Sequence, residues 1–118
     1  MKKRHYEQLI VWQEAHKLCL RVYELVDRFP SKERFGLCSQ MRRSASSVPT
    51  NIVEGNVKRS AREKLHFIEH AESSLEELDY QLFLSRDLGY ITSEEFESLR
   101  GDINRVSYLL TKFRAGIV

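Results

Sequence analysis

An all-α, up-down antiparallel four-helix bundle is the fold this sequence predicts. Three observations carry it: four stretches with apolar residues every three or four positions, stop and start signals between them, and no competing strand pattern. The 118 residues suffice for a single domain, 1–118, around one core. A chain that is 42% hydrophobic and 31% charged, with two prolines, has the composition of an ordinary globular protein.

The first helix is expected from Gln8 to Phe29. At 100° per residue, Val11, Trp12, Ala15, Leu18, Cys19, Val22, Tyr23, Leu25, Val26 and Phe29 fall in one half of the wheel. Gln13, Glu14, Lys17, Arg21, Glu24, Asp27 and Arg28 take the other half. Leu20 breaks the pattern as an aliphatic side chain on the polar face, which makes it a candidate oligomer contact. Pro30 ends the helix and Ser31 is placed to cap the next.

The second helix carries Leu37, Met41, Ala45, Val48 and Ile52 as its apolar stripe. Pro49 lies inside it, removing one donor and crowding the carbonyl of Ala45, so a kink is expected there rather than a clean break. Gly55-Asn56 supplies the stop, being the pair that most easily adopts the left-handed conformation. Ser60-Ala61-Arg62-Glu63 fits a capping box that starts the third helix. Its inner stripe is Phe67, Ile68, Ala71, Ser74, Leu75, Leu78, Leu82 and Ser85, beside an acidic row of Glu69, Glu72, Glu76 and Asp79. Gly89 ends it. Thr92-Ser93-Glu94-Glu95 is a second capping box, and Phe96, Leu99, Ile103, Val106, Leu110, Phe113 and Ile117 form the stripe of the fourth helix.

Charge and cysteine content restrict function without naming it. The formal net charge of +2 is too small to imply nucleic acid by itself. The apolar run from Leu9 to Trp12 is too short for a signal peptide or a membrane span, so a cytoplasmic protein with no membrane partner is expected. Cys19 and Cys38 form no CxxC pair and read as reduced core thiols.

His66-Phe67-Ile68-Glu69-His70 has the order of an inverted zinc-peptidase motif, with two imidazoles one helical turn apart and Glu77 as the nearest third ligand. Both histidines project toward the polar side, Glu69 is expected to point away from them, and a bundle this small offers little room for a cleft. The acidic row lacks the inward Glu-x-x-His pairs from two helices that a carboxylate-bridged metal bundle needs. No nucleophile elbow or phosphate-cradling glycine loop is present. No catalytic residue, metal or cofactor is therefore expected.

Two patterns remain. Gln40, Arg43, Ser47, Asn51 and Glu54 recur at helical spacing and form a polar ridge beside the apolar stripe of the second helix. Such a ridge is either a mutual network that also serves the carbonyl freed by Pro49 at a packed interface, or a functional surface. Basic residues cluster at Lys2-Lys3-Arg4, at Arg42-Arg43, and around the second loop as Lys58, Arg59, Arg62 and Lys64. The last group precedes a helix N-terminus, whose free donors favour anions, so it suits a nucleic-acid backbone as well as a solvated surface.

The chain also resembles the bacterial four-helix bundle proteins named after reading frames in intervening sequences of 23S ribosomal RNA. The likeness rests on Leu9-x-Val11-Trp12, Glu33-Arg34-Phe35-Gly36-Leu37, and Gln40-x-Arg42-Arg43 through Ser47-Val48-Pro49-x-Asn51-Ile52-x-Glu54-Gly55. It continues with Ala71-x-x-Ser74-Leu75-x-Glu77-Leu78 and Leu88-Gly89-Tyr90. The resemblance implies a ring of bundles, typically a homopentamer. It is similar, more distantly, to the accessory subunit of diversity-generating retroelements, a basic pentameric barrel that binds RNA and the reverse transcriptase. Ser73 stands where that group often has Gly. The function expected on these grounds is a non-enzymatic homo-oligomer that binds RNA through its basic clusters, with a protein-interaction scaffold as the alternative and a metal-dependent hydrolase at His66 and His70, with Glu77, as a remote one.

Overall fold

Each apolar stripe becomes one helix, and the residues between stripes fix where each helix stops. A computed structural model describes residues 2–117 as α1 (Ile10–Val26), α2 (Leu37–Asn56), α3 (Ala61–Asp87) and α4 (Ser93–Ala115). Each helix packs against two neighbours in the cyclic order α1, α2, α3, α4, within a body of 43 × 30 × 21 Å. This is the up-down antiparallel four-helix bundle expected from the periodicity, and the described residues contain no strand.

The core is the sum of the four stripes. Val22, Met41, Ile52, Ile68, Leu78, Leu82, Phe96 and Leu110 are fully enclosed, and burying side chains of this size contributes about 1.5–3 kcal/mol each. Both cysteines are free and buried, and burial pushes their thiols above the ordinary range. Tyr23 departs from the expected inner half of α1 and is 43% exposed at its edge. Trp12 is half-buried, stacked parallel on His16 at 4.9 Å and met edge-on by Tyr6.

The two ends of α1 also differ from expectation. Leu9 is extended, so the chain before α1 forms a separate short turn at His5–Gln8. At the other end the helix stops at Val26, because Pro30 disfavours helical geometry in its predecessor and the chain turns over Asp27–Phe29. Phe29 nevertheless reaches the core. Ser31 does not cap α2; it begins a short turn, Ser31–Glu33, and α2 follows Gly36 without a side-chain cap.

Pro49 is buried inside α2, whose helical backbone runs on to Asn56. The stop at Asn56 falls where expected, but not by a left-handed residue: Gly89 is the one positive-φ position among the described residues. Gly55 instead permits close approach. A Cβ there would lie 3.1 Å from Phe67 Cβ and 3.4 Å from the Lys64 carbonyl.

Ser60 caps α3 by accepting from the Glu63 N–H at 3.1 Å, while Glu63 accepts from the Ser60 hydroxyl rather than from its backbone. Gly89, at φ 83°, ends α3, with the Gly89 and Tyr90 N–H groups donating to the carbonyls of Arg86 and Ser85. The Thr92 and Glu95 side chains make the full reciprocal box at the start of α4.

Charged rungs join α1 to α4: Arg105 to Glu14, Arg21 to Asp102, and Arg28 to Glu95. Hydrogen bonds from Arg105, then Lys17, hold Glu14 below the ordinary 4.5. Glu95 is lowered first by the Thr92 backbone N–H and then by Arg28. Because both folded values are depressed, the stability they contribute is fully present above pH 4.5 and is lost as pH falls through the lowered values. Glu14→Gln and Glu95→Gln should each flatten the acid limb of a stability-against-pH curve measured by urea denaturation. Gly55→Ala should cost about 1–3 kcal/mol in the same assay, since backbone and a Cβ must move to admit the methyl group.

Candidate nucleic-acid interface

In an up-down bundle the start of α1, the α2–α3 loop and the end of α4 meet at one end of the molecule. His5 Nδ1 and the Asn56 side-chain amide lie 3.0 Å apart, which ties the segment carrying Lys2, Lys3 and Arg4 to the α2–α3 loop with Lys58 and Arg59 and to the first turn of α3 with Arg62 and Lys64. Two clusters more than fifty positions apart in sequence thus become one basic end. Lys64 donates to the Asn56 carbonyl at 3.2 Å, and the Lys58 ammonium sits 5.2 Å from the Phe67 ring centroid. Arg59 and Arg62 are exposed. None of these four side chains has a carboxylate partner within ion-pair distance among the described residues.

Arg42 and Arg43 do not join them. Thirteen residues of α2 separate Arg43 from Asn56, about 20 Å at the helical rise. Arg43 is exposed. Arg42 is half-buried in a separate cleft of ≈ 440 Å³ that Asp27, Ser31, Arg34 and Cys38 also line.

The polar ridge of α2 divides in two. Ser47 Oγ lies 2.8 Å from Ser74 Oγ of α3, and the Asn51 amide donates to both the Ser47 hydroxyl and carbonyl, at 2.9 and 2.8 Å. Those residues form a structural seam between α2 and α3. Gln40, Arg43 and Glu54 are exposed and their side chains stay outside it, and the seam is anchored on Ser47 rather than on the Ala45 carbonyl freed by Pro49. The seam extends beyond the ridge through Ser44, which donates to Glu77 at 3.0 Å, and Ser85, whose hydroxyl lies 3.5 Å from the Met41 sulfur.

His66 and His70 are exposed, with ring centroids 4.6 Å apart. The shallow depression beside them is also lined by Glu69 and Ser73, and the Glu69 carboxylate is paired with Arg114 of α4. Glu77 is held by Ser44, and no group of three or more potential ligands lies together among the described residues.

Three of the four residues of the acidic row, Glu69, Glu72 and Asp79, are paired within the subunit. Arg114 reaches Glu72 at 2.8 Å and Glu69 at 3.3 Å, and Arg100 grips Asp79 through two hydrogen bonds of 3.0 and 2.7 Å. That hydrogen bonding raises Arg100 further above its already high value. The guanidinium of Arg100 also lies 4.4 Å from the centroid of Phe96, as does that of Arg86. Sequence reading passed over both α4 arginines; their signal was a spacing of two heptads opposite the α3 acids, visible once α3 and α4 are set antiparallel. No described helix is long and apolar enough to cross a membrane.

The 23S rRNA-intervening sequence protein family model matches residues 7–112. Among solved structures, one described as a protein with unknown function from the S23 ribosomal protein family of Bacteroides thetaiotaomicron superposes with a TM-score of 0.83 at 24% identity. The alignment covers 90% of this chain and 96% of that one, and at this identity the likeness shows the fold alone. No curated protein matches the chain.

The division of the ridge has a measurable consequence. Ser47→Ala should lower stability by about 1 kcal/mol, the net worth of a part-buried hydrogen bond, as read by the denaturation midpoint, while leaving polyanion binding unchanged.

Proposed function

The chain belongs to the 23S rRNA-intervening sequence protein family, and from that premise we propose that it is a non-enzymatic, cytoplasmic homo-oligomer that binds RNA through its basic end. The observation that carries this reading is the convergence of the Lys2–Arg4 segment and the Lys58–Lys64 loop through the His5–Asn56 contact. Cations from two parts of the chain, without carboxylate partners, suit a phosphate backbone better than a single surface lysine does. The α3 N-terminus adds backbone donors to the same end.

Assembly strengthens the effect. In a ring, typically a pentamer in proteins of this kind, each copy contributes a few phosphate contacts, and simultaneous engagement multiplies weak single-site affinity. The cluster Arg42-Arg43 forms a second, separate basic surface on each subunit.

A scaffold reading is favoured by one observation. Leu20 is 56% exposed, and Tyr23, one turn further along α1, is 43% exposed, so an apolar ledge stands on the polar face of the helix. That ledge serves either the contact between copies or the capture of another protein. Leu20→Glu separates the two: loss of the oligomer in light scattering assigns the ledge to self-association. An intact oligomer that no longer retains a partner protein assigns it to the scaffold.

RNA binding is tested with the assembled protein and labelled RNA across a salt series. The double change Lys58→Glu with Arg59→Glu should weaken binding at low salt and reduce the slope of log affinity against log salt by about 2. Absence of binding at low salt by a correctly assembled oligomer overturns the reading.

A further inference from the structure

Beside the basic loop, the end of α4 closes one wall of an open cleft. Phe113 from α4 and Ile117 just beyond its end, with Ala61 from the first turn of α3, give it an apolar floor, and Arg59 and Lys64 give it a positive rim. Its volume is ≈ 350 Å³, within the range of small-molecule sites. Phe113 and Ile117 are partly buried, packed on the core from one side and open to the cleft on the other. Arg59 is exposed and has no carboxylate partner among the described residues. Lys64 spends one of its three donors on the Asn56 carbonyl.

We infer that this cleft is a subsite for one unpaired nucleotide of an RNA strand, its base against Phe113 and its flanking phosphates at Arg59 and Lys64. The inference rests on the RNA-binding reading above and specifies the form of RNA. A duplex presents its phosphates outward and keeps its bases stacked on one another, so it gains from the positive rim but nothing from an aromatic floor. An unpaired base can leave the strand and lie on that floor, gaining a stacking contact that tolerates any base. The apolar surface of Phe113 and Ile117 within a basic patch is therefore matched to a single strand. The rim residues belong to the α2–α3 loop and the first turn of α3, beside Lys58 and Arg62, so the strand can continue from the cleft onto further cations.

The test compares a short single-stranded RNA with a duplex of the same sequence, at low salt, on the assembled wild-type protein and on Phe113→Leu, which keeps an apolar side chain but removes the π face. Wild type should prefer the single strand. Phe113→Leu should weaken single-strand binding about tenfold, the scale of one base–aromatic stack, and leave duplex binding unchanged. A 2-aminopurine in the strand should be quenched by wild type and not by the variant. Ala61→Gln, which fills the cleft from an exposed position, should reproduce the loss if Phe113→Leu disturbs folding in a thermal melt. Equal single-strand and duplex affinities, with no effect of either variant, would show that the cleft takes no base while RNA binding itself stands. A free mononucleotide binding as tightly as the strand would likewise overturn the proposal, by making the cleft a small-molecule site. Failure of both RNAs to bind removes the functional reading together with it.

Discussion

The close approach of α2 to α3 is the constraint from which the remaining geometry follows. Ser47 meets Ser74 across the seam, Ser44 meets Glu77, Ser85 meets Met41, and Gly55 passes close to Phe67 and the Lys64 carbonyl, so a residue no larger than serine stands on at least one side of each contact. Small residues bring the backbones together, and the hydroxyls then need partners, which they find in each other, in Asn51 and in Glu77. A seam of this kind fixes helix register more tightly than apolar packing alone, because a shift along the axis would leave several part-buried hydroxyls unpaired. Gln81 marks its cost: its side-chain carbonyl is buried without a partner.

With α2 and α3 locked, α4 and α1 are held by charge. Glu69, Glu72 and Asp79 of α3 are matched by Arg114 and Arg100, and the flank of α1 by Glu95, Asp102 and Arg105. Exposed pairs of this type add little stability individually, so their larger contribution is orientation. They also redistribute charge. A chain with a net charge of only +2 pairs six of its 17 acids along the α1–α4 and α3–α4 seams, and at the α2–α3 loop and the first turn of α3 the cations have no carboxylate partner among the described residues. Net charge was a poor guide for that reason; the pairing decides where a field remains.

The two ends of the bundle are therefore chemically different. At one end, Arg86 and Arg100 flank the buried Phe96, Tyr90 donates to Glu33 at 2.7 Å, and Arg34 and Arg42 line the separate cleft beside Asp27. At the other, the loop cations face solvent beside a cleft floored by Phe113 and Ile117. Helix direction alone brings the α4 C-terminus to that loop, which is how a residue read as a plain core position becomes part of a surface.

Sequence by itself determined the four helices, their apolar stripes, the cap at Thr92 and the stop at Gly89, because each depends on residues within a turn or two of one another. It also supplied the basic clusters and the family resemblance. Local signals misled where a residue's task was tertiary: Gly55 reads as a terminator but serves close packing, and Ser31 reads as a cap but lies in a turn. Only the tertiary structure decided that Lys2–Arg4 joins the α2–α3 loop while Arg42 and Arg43 stand apart. It alone divided the polar ridge into a seam and an exposed remainder. The physical reason is common to all of these: periodicity specifies which face of a helix is apolar, whereas partners across a seam depend on helix spacing and register, which arise only when the four helices pack.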